Sequence, residues 1–140
     1  QQMHWGSLFE TVDDALDVLA SIDRKNFGVT YEPANLRACG DNSGPAGLRR
    51  LAPYLFNVYF QNIRLDASSS VTFNTNCNGP VGVCFLPIDD PKGIHLPPLT
   101  QVLKDVGYDG WFTIHQPLLD GQSVNDVIQN AAKFISPLVK

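Results

Sequence analysis

Glu32-Pro33, Gln61-Asn62 with Arg64 close behind, and His115-Gln116 each stand at the end of a short run of hydrophobic residues. A carboxylate and an imidazole are the side chains that most often move protons. Side-chain amides recognise hydroxyl groups through paired donors and acceptors. Asn57, Tyr59, Gln61 and Asn62 make one amide-rich patch of this kind. Each residue also has a plainer role open to it. A carboxylate at a strand end is often only solvated, a lone histidine is often a satisfied core residue, and inward amides often do no more than pack.

These residues need elements to hold them. Thr11 to Ile22 (TVDDALDVLASI) repeats apolar residues at helical spacing. Thr11 suits the N-cap, and Asp13 and Asp14 suit the positive end of the helix dipole. FGVTYE (Phe27–Glu32) reads as a strand that Pro33 stops. Asn42-Ser43-Gly44-Pro45 opens a helix running to about Tyr54, and LFNVYFQN (Leu55–Asn62) is the next strand. Residues 65–96 crowd Ser, Asn, Pro, Asp and Gly and read as a long loop insertion, with one brief strand at Val71-Thr72-Phe73. Pro97-Pro98 starts a helix ending near Gly107, GWFTIH (Gly110–His115) is the last strand, and Ser123 caps a helix to about Leu138.

Helices and strands therefore alternate, which predicts an α/β fold of parallel β/α units. Every strand also alternates within itself. Gly28, Thr30 and Glu32 oppose Phe27, Val29 and Tyr31, and Asn57, Tyr59 and Gln61 oppose Phe56, Val58 and Phe60. Period-two alternation gives each strand one apolar and one polar face. The apolar face meets helices, and the polar face lines something wet, such as the mouth of a β/α barrel. In such barrels the chemistry sits at the C-terminal strand ends. Glu32, Gln61-Asn62 and His115-Gln116 are those ends.

Composition narrows the partners. The chain has 140 residues, 44% of them hydrophobic and 17% charged, with a net charge of −4. It can bury a core, and its charge argues against nucleic acid and anionic membranes. Nothing approaches the roughly 20 apolar residues of a membrane span. Cys39, Cys77 and Cys84 fit no common zinc spacing. A Cys77–Cys84 bridge and three free thiols are both open.

Four stretches resemble the xylose isomerase-like sugar isomerase/epimerase barrels, a family that also includes the endonuclease IV type. They are HWG at His4–Gly6, FGVTYEPANL, LAPYLFNVYFQNIR and KGIHLPPLTQVLKDVGYDGWFTIHQP. The resemblance implies the C-terminal half of a TIM (β/α)8 barrel over residues 1–140, about three and a half β/α units where a whole barrel needs roughly 250 residues. The other half would lie before Gln1 or come from a second copy. The resemblance also implies a divalent cation (manganese, magnesium, cobalt or zinc) held by acidic residues and a histidine from successive strands. Glu32 takes a position the family fills with Asp. Tyr59 replaces its His, and His115 replaces its final Glu. Glu32 and His115 are thus the candidates for both catalysis and metal ligation. Arg64 resembles the family's substrate arginine, His4 and Trp5 the lining of the sugar pocket, and His95 replaces the Asp of a turn and reads as structural. Asn57, Tyr59, Gln61, Asn62 and Gln116 complete the substrate-contact candidates. Trp111 reads as packing at the barrel bottom. The function implied is isomerisation or epimerisation of a small sugar or sugar phosphate by proton transfer beside a carbonyl, and a cytoplasmic location is expected. The alternative is a degenerate barrel that binds sugar without turnover.

Overall fold

The computed structural model describes residues 1–139. Helix α1 (Val12–Ile22) begins as its sequence predicts, with Thr11 Oγ1 accepting the backbone N–H of Asp14 at 3.0 Å. It ends at Asp23, whose φ of 43° is left-handed and whose N–H donates to Leu19 O. Strands β1 (Val29–Tyr31), β2 (Leu55–Phe60) and β6 (Trp111–Ile114) form a parallel sheet in the order β1-β2-β6. Residues 1–3 extend it past β1. Gln2 bridges Thr30 in parallel, Met3 N–H donates to Thr30 O at 3.0 Å and Thr30 N–H donates to Gln1 O at 2.8 Å.

Helices α1, α3 (Pro45–Leu51), α4 (Leu96–Asp105) and α5 (Val124–Val139) lie side by side over one face of this sheet. Val29, Tyr31, Val58 and Phe60 point into that layer. They are buried with Val12, Ala15, Leu19, Leu48, Leu51, Leu99, Val102, Leu103, Ala131 and Ile135. The opposite rows pair Thr30 with Asn57 and Tyr59 with Thr113. One covered apolar face and one polar face are the arrangement the alternation predicted.

The structure adds to the sequence reading at one point and differs from it at two. First, β1 ends at Tyr31, before Pro33, and Pro33 is itself the first residue of helix α2 (Pro33–Ala38). Proline suits that position, because its φ is already helical and the first turn has no use for its missing N–H. Second, much of 65–96 is not loop. β3 (Ile63–Leu65), β4 (Thr72–Thr75) and β5 (Gly79–Phe85) make an antiparallel sheet in the order β3-β5-β4. Val81, Val83 and Phe85 do alternate along β5, but turn-forming Asn, Gly and Pro residues around them mask the pattern. Gly79 takes a φ of +67° where β5 leaves the turn from β4, a conformation glycine adopts at little cost. Third, Trp111 is not packed at the barrel bottom. It is 82% exposed.

The irregular stretch 86–95 is held in place by Asn62. Its Nδ2 donates to Pro87 O and Asp90 O at 2.7 and 2.9 Å, and its Oδ1 accepts from Ile94 N–H at 2.7 Å. Gly93 makes this approach feasible, because a Cβ there would lie 1.9 Å from Asn62 Oδ1. No helix among the described residues is long and apolar enough to cross a membrane.

Candidate functional site at the strand ends

Glu32 follows β1 and is fully buried. Its Oε2 accepts from Asn35 Nδ2 at 2.8 Å and from Gln2 Nε2. Its Oε1 lies 2.8 Å from His115 Nδ1. Amide NH2 groups only donate, so Oε2 is an acceptor. At Oε1 the Nδ1–H of the imidazole donates, which leaves Nε2 as the nitrogen free to take a proton. The His115 side chain is 49% exposed. A buried carboxylate thus orients a half-exposed imidazole that faces outward. That division of labour fixes a histidine tautomer and readies its second nitrogen as a base.

Local sequence explains the placement. Asn35 is in the first turn of α2, and the helix start that Pro33 favours brings its amide back to Glu32. Asn35 Nδ2 also donates to Met3 O at 2.9 Å, so one side chain ties the N-terminal segment to β1. Neither Gln2 nor Asn35 stood out in the sequence. The spacing of Asn35 three residues after Glu32, at a helix start, is the signal that could have found it. Gln2 carries no such signal, since its role depends on residues 1–3 joining the sheet.

The other candidates divide into two groups. Tyr59 and Gln61 join the pair. The Tyr59 ring lies 5.2 Å from that of His115, and Gln61 Nε2 donates to His115 O at 2.8 Å. Asn57 is on the same face, toward the start of β2, and contacts Thr113 Oγ1 at 3.3 Å. Asn62 and Gln116 reach the strand ends, but their polar atoms serve the backbone. Asn62 holds 86–94 as described, and Gln116 accepts from Asn62 N–H and donates to Leu86 O at 2.6 Å. Arg64 lies on the antiparallel sheet, paired with Asp66 at 2.8 Å. His4 Nδ1 engages Trp5 O at 2.6 Å, and Trp5 stacks on Phe73 of β4 at 5.2 Å. The structure brings none of these last three residues into hydrogen bonding with Glu32 or His115. His95 is the residue preceding α4.

A metal at this place draws little from the chain itself. Glu32 and His115 supply two donors, and a cation could reach Glu32 Oε1 and His115 Nδ1 only by displacing their mutual hydrogen bond. Among the described residues no third His, Cys, Asp or Glu joins them. The one such group of three is Glu10, Cys39 and Cys77. Glu10 precedes α1, is 4% exposed, and accepts three backbone N–H groups, from Gly6, Asn76 and Cys77 at 2.5, 2.7 and 2.8 Å. Burial pushes its carboxyl up, but these hydrogen bonds outweigh burial and leave it below the ordinary value. Cys39 is buried at the C-cap of α2, where burial first and the Glu10 charge next push its thiol up to about 12. The three cysteines are free thiols. Cys84 faces Asp66 and Cys77 faces Cys39, so the Cys77–Cys84 bridge weighed from sequence does not form.

A parallel sheet with helices on one face and a polar constellation at the strand ends is the arrangement of a segment of a TIM barrel. The sequence matches the xylose isomerase-like TIM barrel family over residues 1–138, and the chain belongs to that family. Solved structures agree in fold. A xylose isomerase domain protein from Planctomyces limnophilus superposes with a TM-score of 0.67 at 19% identity, over 98% of this chain and 45% of its own. A xylose isomerase-like TIM barrel protein from Mycobacterium smegmatis, solved in complex with magnesium, gives 0.69 at 18% identity, over 99% and 42%. The probable 3-DHS dehydratase of petrobactin synthesis from Bacillus anthracis gives 0.66 at 17%, over 96% and 47%. The chain therefore spans less than half the length of each of these structures. No curated protein matches the sequence.

Proposed function

We propose that the chain forms the C-terminal half of a barrel that binds a small polyhydroxylated substrate, a sugar or sugar phosphate, and moves a proton beside its carbonyl. The observation that carries this reading is the hydrogen bond between buried Glu32 and half-exposed His115. His115 Nε2 takes the proton from carbon and returns it to the neighbouring carbon or the other face. Glu32 keeps the ring oriented and stabilises the imidazolium formed. Tyr59 and Gln61 flank the substrate, and Asn57 extends the polar wall. Isomerisation, epimerisation and dehydration of a hydroxy-carbonyl compound share this first step, which makes the dehydratase among the structural relatives compatible with it. A divalent cation that polarised the carbonyl would take its donors from beyond this chain, because Glu32 and His115 Nδ1 are committed to each other. The remaining strands would come from an N-terminal half or a second copy, which would cover the apolar groove lined by Phe112, Ile114, Ile128 and Ile135. Three free thiols suit the cytoplasm.

Exchange of substrate carbon-bound hydrogen with deuterated solvent, followed by NMR over a panel of aldoses, ketoses and their phosphates, tests the reading. Exchange that His115→Gln abolishes supports it. Sugar binding without exchange supports the non-catalytic alternative. Exchange unaffected by His115→Gln removes the proposed base.

A further inference from the structure

The cluster at the opposite end of α2 has no part in the reading above. Glu10, Cys39 and Cys77 come from three distant segments: the approach to α1, the C-cap of α2 and the turn between β4 and β5. Each offers one ligand atom, and the three atoms lie within 4.8 Å of one another. We propose that these residues bind one soft divalent cation of the zinc class, which fastens the antiparallel sheet to the barrel helices.

Four observations support the site. First, Glu10 is an almost fully buried carboxylate, yet the ion pairs found among the described residues give it no cationic partner. Second, its orientation is preset. Gly6 and Asn76 donate to Oε1 and Cys77 donates to Oε2, the kind of outer hydrogen bonding that holds a ligand in place. Third, the Cys77 thiol donates to the Cys39 backbone carbonyl at 3.2 Å, which holds the β4–β5 turn against the end of α2 and so keeps both sulfurs near the carboxylate. Fourth, Cys39 and Glu10 are buried while Cys77 is exposed. A cation held there would have one side open, where a water completes four-coordination.

The donor set selects the metal. Two sulfurs and one carboxylate suit zinc or cobalt, whereas magnesium and calcium require oxygen ligands. Binding is balanced simply. The cation enters, two thiol protons leave to solvent, and two thiolates and the carboxylate offset the metal charge. Through Cys39 the cation would also steady α2, whose first turn places Asn35 on Glu32.

The test uses the full chain, reduced and stripped by chelator, titrated with cobalt(II). Expected are a thiolate-to-cobalt charge-transfer band saturating at one cobalt per chain, release of two protons read with a pH indicator, and displacement by zinc. Cys77→Ser, at an exposed position, and Glu10→Gln should lose the band, while Cys84→Ser and His115→Gln should keep it. A wild-type chain with no such band overturns the proposal. So does a band that survives Cys77→Ser, or a Cys39–Cys77 disulfide in the unreduced protein by peptide mass. Loss of catalysis in His115→Gln with the cobalt band intact would separate this site from the catalytic reading.

Discussion

Two buried glutamates accept three hydrogen bonds each, and they do different things. Glu10 takes three backbone N–H groups, while Glu32 takes two side-chain amides and an imidazole. Backbone donors belong to the fold and cannot move without it, so Glu10 joins segments. The partners of Glu32 are side chains, and one of them is half exposed and can change its protonation. Burial of a carboxylate therefore does not distinguish structure from chemistry. The nature and exposure of its partners does.

This contrast is open to measurement. The largest effect expected is on turnover. His115→Gln, whose amide can still donate to Glu32, should slow hydrogen exchange by about 10²–10⁴-fold, the usual contribution of a positioned base, with little change in melting temperature. Equal losses of stability and turnover would place His115 with Glu10 instead. Next, Glu10→Ala in metal-free protein should cost about 3 kcal/mol in denaturant unfolding, since it leaves buried backbone donors unpaired. A cost below about 0.5 kcal/mol would contradict the clamp.

Acid should act on Glu10 in a definite direction. Its folded-state value lies below the ordinary 4.5, so its stabilisation is present above pH 4.5 and lost as pH falls through the folded value. Melting curves of chelator-treated wild type and Glu10→Gln should differ most near neutral pH and converge on acidification. A gap that widened in acid would reverse the assignment. Gly93→Ala should destabilise by about 1–3 kcal/mol, through collision with an Asn62 side chain already held by three hydrogen bonds. The smallest effect belongs to Arg64. Its guanidinium is 42% exposed and paired with Asp66, and such pairs contribute about 0–1 kcal/mol. Arg64→Ala should leave turnover unchanged, and a fall in turnover would return Arg64 to the substrate site.

Much of this molecule was readable from residue order. The caps at Thr11 and Ser123, the three parallel strands and their polar and apolar faces all follow from local patterning. So do Glu32 and His115 at the strand ends. Patterning misled where two local signals competed. Asn, Gly and Pro between β3 and β5 outweighed the alternation of Val81, Val83 and Phe85. Pro33 stops β1 as its type implies, and it also starts α2, which the strand pattern does not show. Asn62 and Gln116 stand out by residue type and Arg64 by family resemblance, and neither signal shows which partners their polar atoms take in the fold.

The sequence by itself determined the α/β alternation, the sidedness of each strand and the family, because these depend on spacing within about ten residues and on motifs read in order. Tertiary structure decided which side chains meet. His115 and Glu32 are 83 residues apart, and Glu10 meets Cys77 across 67. Contacts at such separations arise from sheet order and helix packing, which no local pattern encodes.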